Sequence, residues 1–230
     1  MNLANSVNGL PSPPKQLYVE STNRCNSLCS TCIRTYRQYE APRDLLLSEL
    51  KSIVEQFPEL ERVTLHGGGE PLLNVEIHSM VRYLKSRGAY VLFNSNALLL
   101  DEETNRELIA SGLDEFRVSL DAATPETYVT LRGVPHFRKV VGNVRALIEL
   151  KRTLDTPDPR VSFWFVGTQE NIMELPDLVR LAAEIGVQEV YLQRLIYFLP
   201  NDAEGIAVAA MSIYHDPGPE VLEAIKEAEE

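Results

Sequence analysis

Apolar and polar positions change period repeatedly along this chain. Short runs dense in β-branched and aromatic residues alternate with longer stretches whose apolar residues recur every three or four positions, the signatures of strand and helix. The first run is "QLYVES" (16–21). After a polar loop, "LSELKSIVEQF" (47–57) places Leu50, Ile53, Val54 and Phe57 on one helical face, with Ser48 as the expected cap. "RVTLHG" (62–67) reads as the second strand and precedes a helix over 74–87 that stops at Gly88. "YVLFNSN" (90–96) is the third, before a helix over 101–111 that stops at Gly112. "EFRVSLDA" (115–122) is the fourth, followed by helical pieces over 125–131 and 137–154 on either side of "RGVP". "RVSFWFVG" (160–167) and "QEVYLQRL" (188–195) are the fifth and sixth, separated by a helix over 171–185 that stops at Gly186. A last helix begins near Gly218. Glycine directly after a periodic run is the usual helix stop.

Six strands separated by helices imply a parallel sheet, because parallel neighbours need crossover connections. Such a sheet is covered on both faces, and these strands are suitably rich in Val, Leu, Phe and Tyr. An open doubly wound sheet and a curved, barrel-like sheet both satisfy that pattern. No "GxGxxG" opens the first helix, so the dinucleotide-binding form lacks its fingerprint. Polar residues instead end nearly every strand: Glu20, His66, Asn94 with Asn96, Ser119 with Asp121, Gln169 just past the fifth, and Gln193. In a βα barrel that end carries the active site. The expected class is therefore α/β, a partial (β/α)6 TIM-like barrel with parallel strands and helices outside, spanning 16–230. Residues 1–15, rich in Asn, Ser, Gly and Pro, read as a flexible lead-in.

Composition narrows the partners. The chain has 230 residues, 44% apolar and 24% charged, enough for one domain with a sizeable core. Its net charge of −11 disfavours nucleic acid, whose binders rely on neutralising phosphates. Arg24, Arg34, Arg37 and Arg43 nevertheless gather in one local region. No stretch approaches the roughly 20 apolar residues of a membrane span, and no charged segment followed by an apolar one marks a secretory signal. Clustered thiols without such a signal point to the cytoplasm, where they stay reduced.

Those thiols are confined to "STNRCNSLCSTCIRTYRQ", which holds all three cysteines: Cys25, Cys29 and Cys32. An odd count does not build a disulfide framework, and three leave a closed tetrahedral zinc site one ligand short. The spacing Cys-x3-Cys-x2-Cys, on the loop leaving the first strand, wraps thiolates around one compact object. A cubane iron–sulfur cluster is commonly held by four cysteines. Three would leave one iron open to a small molecule. Three alternatives stand beside this: zinc with a fourth ligand such as His66 or water, chance cysteines in a packed loop, for which "NRCNSLCST" is too polar, and a redox pair at Cys29 and Cys32. The redox pair should open a helix after a strand, and it leaves Cys25 unexplained.

In this position the cysteine loop resembles the hallmark of the radical S-adenosylmethionine (radical SAM) superfamily. A second hallmark, Gly-Gly-Glu-Pro after strand two, is present as Gly68-Gly69-Glu70-Pro71 within "HGGGEPLL". "NSNA" after strand three and "SLDAATPETY" after strand four add to the likeness, which covers about 17–195. The resemblance implies a [4Fe-4S] cluster on Cys25, Cys29 and Cys32, with S-adenosylmethionine bound at the open iron. It implies that Gly68, Gly69 and Glu70 hold the methionyl amino group. It places Ser119, Asp121, Asn94 and Asn96 near the ribose or carboxylate, Arg132 against the carboxylate, and Gln193 near the adenine. It also implies reductive cleavage to a 5′-deoxyadenosyl radical, a flavodoxin, ferredoxin or related electron donor, and a peptide or small-molecule substrate. A non-catalytic iron–sulfur module and a zinc-binding barrel protein are the competing classes.

Two departures mark this chain. Thr31 stands where many members carry an aromatic residue before the third cysteine. No cysteine follows Cys32, whereas the SPASM-type maturases that the core resembles carry a cysteine-rich C-terminal extension. The chain closes on "EAIKEAEE", which reads as a core cut in or after its last helix, or as a minimal core.

Overall fold

The computed structural model describes residues 13–37, 40–197, 207–215 and 217–230. Six strands lie in chain order in one parallel sheet: β1 (Gln16–Tyr18), β2 (Arg62–Thr64), β3 (Tyr90–Ser95), β4 (Glu115–Ser119), β5 (Arg160–Gly167) and β6 (Val190–Arg194). The register pairs Val63 with Val91, Phe93 with Phe116, Val118 with Phe163 and Trp164 with Tyr191. Among the described residues nothing pairs β1 with β6, so the sheet is a curled half-barrel with two edges. The helices are α1 (Ile33–Tyr36), α2 (Leu47–Val54), α3 (Ile77–Ser86), α4 (Glu102–Ala110), α5 (Pro125–Arg132), α6 (Phe137–Thr153), α7 (Leu175–Ile185) and α8 (Pro219–Glu229).

The core lies between the helices and the outer face of the sheet. In α3 the buried residues Ile77, Met80, Val81 and Leu84 repeat at helical spacing, and Leu175, Leu178, Ala182 and Ile185 do so in α7. They meet Phe93, Phe116, Phe163 and Phe165, and the first two rings pack edge to face at 5.5 Å. Each such side chain contributes about 1.5–3 kcal/mol by leaving water. Gly88, Gly112 and Gly186 follow their helices in the left-handed region, where the sequence places the stops. No helix of the described residues is long and apolar enough to cross a membrane.

Three local expectations change. Ser48 does not cap α2; the helix begins one residue earlier, and Glu49 Oε2 accepts the N–H of Leu46 at 2.8 Å. The helix expected from 74 begins at Ile77, after a 3-10 turn over Pro71–Leu73. The helix expected over 171–185 is divided into a 3-10 turn over Ile172–Glu174 and α7. The lead-in expected over 1–15 lies outside the described residues as far as residue 12. Lys15 is already tied down, its carbonyl accepting the N–H groups of Glu61 (2.7 Å) and Arg62 (3.1 Å).

A larger difference concerns the inner face of the sheet, which is not covered as a parallel sheet's second face usually is. Alternation along the strands turns Arg62, Tyr90, Glu115, Arg117 and Trp164 towards one another. The Arg117 guanidinium lies 4.0 Å above the Trp164 ring, and Trp164 stacks on Tyr191 at 4.3 Å. Tyr18 and Tyr191, on the two edge strands, stay exposed at 74% and 46%. The concave side is therefore a polar and aromatic trough that opens beneath the C-terminal ends of the strands.

Candidate active site

The cysteine loop leaves β1 and is fastened before it reaches its thiols. Thr22 Oγ1 donates to Asp44 Oδ1 at 2.6 Å, and Arg24 holds the same carboxylate through Nε (2.9 Å) and Nη2 (2.5 Å). Arg24 Nη2 also donates to the carbonyl of Leu73. Of the arginines noted in sequence, Arg24 and Arg43 are thus ion-paired, with Asp44 and Glu49. Arg34 donates to the carbonyl of Ser27 inside the loop at 2.9 Å. The loop then turns back on itself: Cys32 N–H and Thr35 Oγ1 both donate to the carbonyl of Cys29. All three cysteines are free thiols and half-buried, and burial pushes the Cys25 thiol upward.

The far side of the loop is laid onto the C-terminal end of α5. Leu28 N–H donates to Arg132 O at 3.2 Å, and Ser30 N–H to Leu131 O at 2.9 Å. Gly133, with φ +68°, makes this possible, because a Cβ there would overlap the carbonyl of Leu28.

The glycine-rich turn after β2 faces the thiols. A Cβ on Gly69 would overlap the carbonyl oxygen of Thr22, so this glycine lets two backbone segments meet. Gly68 N–H donates to Glu20 Oε1 at 2.6 Å. Glu70 is buried and organises its surroundings: it accepts from Leu72 N–H (3.2 Å), Ser95 Oγ (2.7 Å) and Asn96 N–H (2.7 Å). A carboxylate has about four acceptor positions, so one stays open. Burial pushes the Glu70 pKa up, against the pull of these donors.

The remaining strand ends complete one cavity of about 360 Å³. It is lined by Cys25, Cys29 and Cys32, by Gly68, Gly69 and Glu70, and by Asn94, Asn96, Ser119, Asp121, Arg132 and Gln193. Every residue that the resemblance assigned to the cluster or to S-adenosylmethionine therefore reaches the same space, although the residues do different things there; Glu20 and Gln169, which also end strands, do not line it. Asn96 is fully engaged, its Nδ2 donating to Asn26 Oδ1 (2.6 Å) and Ser27 Oγ (3.1 Å), and its Oδ1 accepting from Leu98 N–H. Asp121 accepts from Val166 N–H at 2.8 Å and pairs with Arg132 at 2.5 Å. It does not cap the following helix. That task falls to Thr124 together with Glu174, which accepts from both Ala123 and Thr124 N–H. Burial pushes the Asp121 pKa up, and Arg132 opposes it. His66 also lines the cavity; its Nδ1 accepts from Asn94 N–H at 3.1 Å. Burial, aided by Arg117, lowers its pKa to about 4, so the ring is neutral near pH 7 and carries its proton on Nε2.

The residues present fit the implied group. Two buried polar atoms of the lining have no protein partner: Asn94 Oδ1 and Arg132 Nε. Buried groups of this kind ordinarily have partners, and a polar ligand would supply them. Among the described residues no three His, Cys, Asp or Glu side chains converge where a single ion would sit, while the three thiols share a cavity.

Sequence reading missed Ser27, Trp164 and Val166 as lining residues and Glu174 as the organiser of α5. For Trp164 a signal existed: in "RVSFWFVG" it alternates with the apolar positions that enter the core.

Comparison with known proteins agrees with this geometry. The model of the radical SAM superfamily matches residues 19–182. A tungsten-containing aldehyde ferredoxin oxidoreductase cofactor-modifying protein of Pyrococcus furiosus is 30% identical over 195 residues, 84% of this chain and 54% of that protein. The mycofactocin maturase of Mycolicibacterium smegmatis is 31% identical over 171 residues, covering 73% and 41%. Among solved structures, Streptococcus suis SuiB bound to S-adenosylmethionine superposes with a TM-score of 0.68 at 17% identity, over 82% of this chain and 42% of that one. The chain thus spans about half the length of the curated relatives it matches. With three thiols, a glycine-rich turn and four strand ends around one cavity, and a family match across most of the half-barrel, this chain belongs to the radical SAM superfamily.

Proposed function

We propose that this half-barrel cleaves S-adenosylmethionine reductively and directs the resulting radical at a peptide or small-molecule substrate. The observation that carries the reading is that Cys25, Cys29 and Cys32 share a single cavity with the Gly68–Glu70 turn and the ends of β3, β4 and β6. Cys25, Cys29 and Cys32 would hold the [4Fe-4S] cluster. When bound, that cluster supplies the electron that breaks the sulfonium C–S bond and leaves a 5′-deoxyadenosyl radical.

The chain's own residues bind, orient and exclude water. Gly68 lets a ligand approach the backbone, Gly69 keeps the turn against the cysteine loop, and the open acceptor position of Glu70 suits the methionyl ammonium. Arg132, with its Nε lacking a partner, is the cation available to the carboxylate. Asn94 Oδ1, Ser119, Asp121 and Gln193 offer acceptors and donors for the ribose and adenine, and Asn96 holds the cysteine loop in place. The substrate enters from the concave trough, past Trp164. Names among the relatives support a peptide: the PqqA peptide cyclase of Gluconobacter oxydans is 26% identical over 190 residues, and SuiB has been solved with its precursor peptide SuiA. The low-potential electron comes from a flavodoxin, ferredoxin or related donor. The surface beside Cys25 carries Arg34 and Arg37 together with Glu20 and Glu40.

The test is anaerobic reconstitution with iron and sulfide, addition of dithionite and S-adenosylmethionine, and chromatographic assay of 5′-deoxyadenosine. Product that vanishes in Cys25→Ala, Cys29→Ala and Cys32→Ala is the expected result. A brown protein that never cleaves S-adenosylmethionine would favour a non-catalytic iron–sulfur module. A colourless, zinc-loaded protein would sink the proposal.

A further inference from the structure

Two of the three thiols have a side-chain N–H donor directed at the sulfur, and these two donors differ in kind. Asn96 Nδ2 stands 3.9 Å from Cys25 Sγ, but it has nearer acceptors in Asn26 and Ser27, so its bond to sulfur is residual. Arg132 Nη1 stands 3.7 Å from Cys29 Sγ. It brings a full positive charge from a side chain only 10% exposed, where water and salt screen little.

The guanidinium is held in that place from two directions. Its Nη2 is tied to Asp121, which is in turn fixed by the N–H of Val166 on β5. Its backbone carbonyl accepts from Leu28 in the cysteine loop, and Gly133 packs against the same residue. The loop and the end of α5 therefore form one rigid body, and Arg132 cannot leave Cys29 without breaking a buried ion pair.

We propose that Arg132 is a positioning residue that sets the reduction potential of the cluster through Cys29, with Asp121 as its counterweight. The proposal rests on the reading that Cys25, Cys29 and Cys32 hold a [4Fe-4S] cluster. A fixed cation donating to a ligand sulfur stabilises the reduced, more negative state, because hydrogen bonds and charge at the sulfurs tune such clusters. Asp121, paired with the same guanidinium, works in the opposite direction. The two side chains thus offset each other, and removing either should move the potential with opposite sign.

The experiment compares the parent, Arg132→Gln and Asp121→Asn, each reconstituted anaerobically to equal iron and sulfide content. Midpoint potentials are measured without S-adenosylmethionine, by paramagnetic resonance of samples poised at known potentials. Arg132→Gln should lower the midpoint, with a change of about tenfold in the reduction equilibrium, or about 59 mV for a one-electron couple. Asp121→Asn should raise it. Asn96→Ala, which removes a neutral and residual donor, should shift it less than Arg132→Gln. An Arg132→Gln midpoint equal to the parent's, or shifts of equal sign in the Arg132 and Asp121 variants, would overturn the proposal. Should Arg132→Gln take up no iron, Asp121→Asn decides: a rise supports the role and anything else refutes it. A parent that takes up no cluster refutes the underlying reading, and the tuning role with it.

Discussion

Strand β4 carries a buried carboxylate at each end, and the two are treated in opposite ways. Glu115 opens the strand and is 1% exposed; Asp121 lies two residues past its end and is 8% exposed. Around Glu115 stand Arg117 at 2.8 Å, Arg160 at 3.0 Å and Arg62 at 3.8 Å, with the Tyr90 hydroxyl at 3.4 Å. Burial acts against this carboxylate, yet the arginines outweigh it and hold its pKa below the usual range. Asp121 has one arginine, and burial pushes its pKa above the usual range. The N-terminal end of the barrel is thus electrostatically satisfied within the protein. The C-terminal end keeps orphaned atoms at Asn94 and Arg132 in the cavity lining. One end is built for stability and the other to complete itself with a ligand.

The largest expected effect breaks the satisfied end. Glu115→Ala would leave Arg62 and Arg117 facing each other with no counter-charge, and Arg160 with Glu189 alone. Removing one partner of a buried pair typically costs about 3–5 kcal/mol. Urea denaturation should show a lower midpoint with an unchanged slope.

At the other end, Gly133→Ala would place a side chain in the left-handed region and against the Leu28 carbonyl. Such backbone strain costs about 1–3 kcal/mol. Because the strain falls on the cysteine loop, iron content after reconstitution should drop along with thermal stability.

The two ends should also separate by pH. Glu115 has a depressed folded pKa, so its stabilisation is full near neutrality and is lost as the pH falls through that value. Asp121, with a raised folded pKa, contributes with the opposite sign and relieves the fold on acidification. His66 adds a third window. Its folded pKa of about 4 lies below the usual 6.5, so the unfolded chain takes up a proton first and stability falls from pH 6.5 towards 4. His66→Gln should flatten that segment of a stability–pH curve. A slope unchanged in the variant would assign it to other groups.

The smallest effect belongs to the rim of the Glu115 cluster. Arg160 is 54% exposed, and Arg117 remains when it is removed, so Arg160→Gln should change stability by less than about 1 kcal/mol. A larger loss would mean that the three arginines act as one network.

Much of this molecule was legible before any coordinates. The order of strands and helices, the stops at Gly88, Gly112 and Gly186, and the placing of Cys25, Cys29, Cys32 and the Gly68–Glu70 turn after β1 and β2 all follow from local pattern. Local pattern suffices because helix and strand periods, and the left-handed freedom of glycine, act over a few neighbouring residues. Other features belong to the tertiary structure alone. Arg132 meets Cys29 across 103 positions, Asn96 meets Asn26 across 70, and Glu174 reaches back 50 to Thr124. Arg62, Glu115 and Arg160 form a cluster although they come from β2, β4 and β5. Those meetings depend on strand register and on which face each residue turns inward, and a one-residue slip would undo all of them. The sequence by itself determined which polar residues and thiols stand at the strand ends. Only the curl of the sheet decided which of them hold each other, and which are left to hold a ligand.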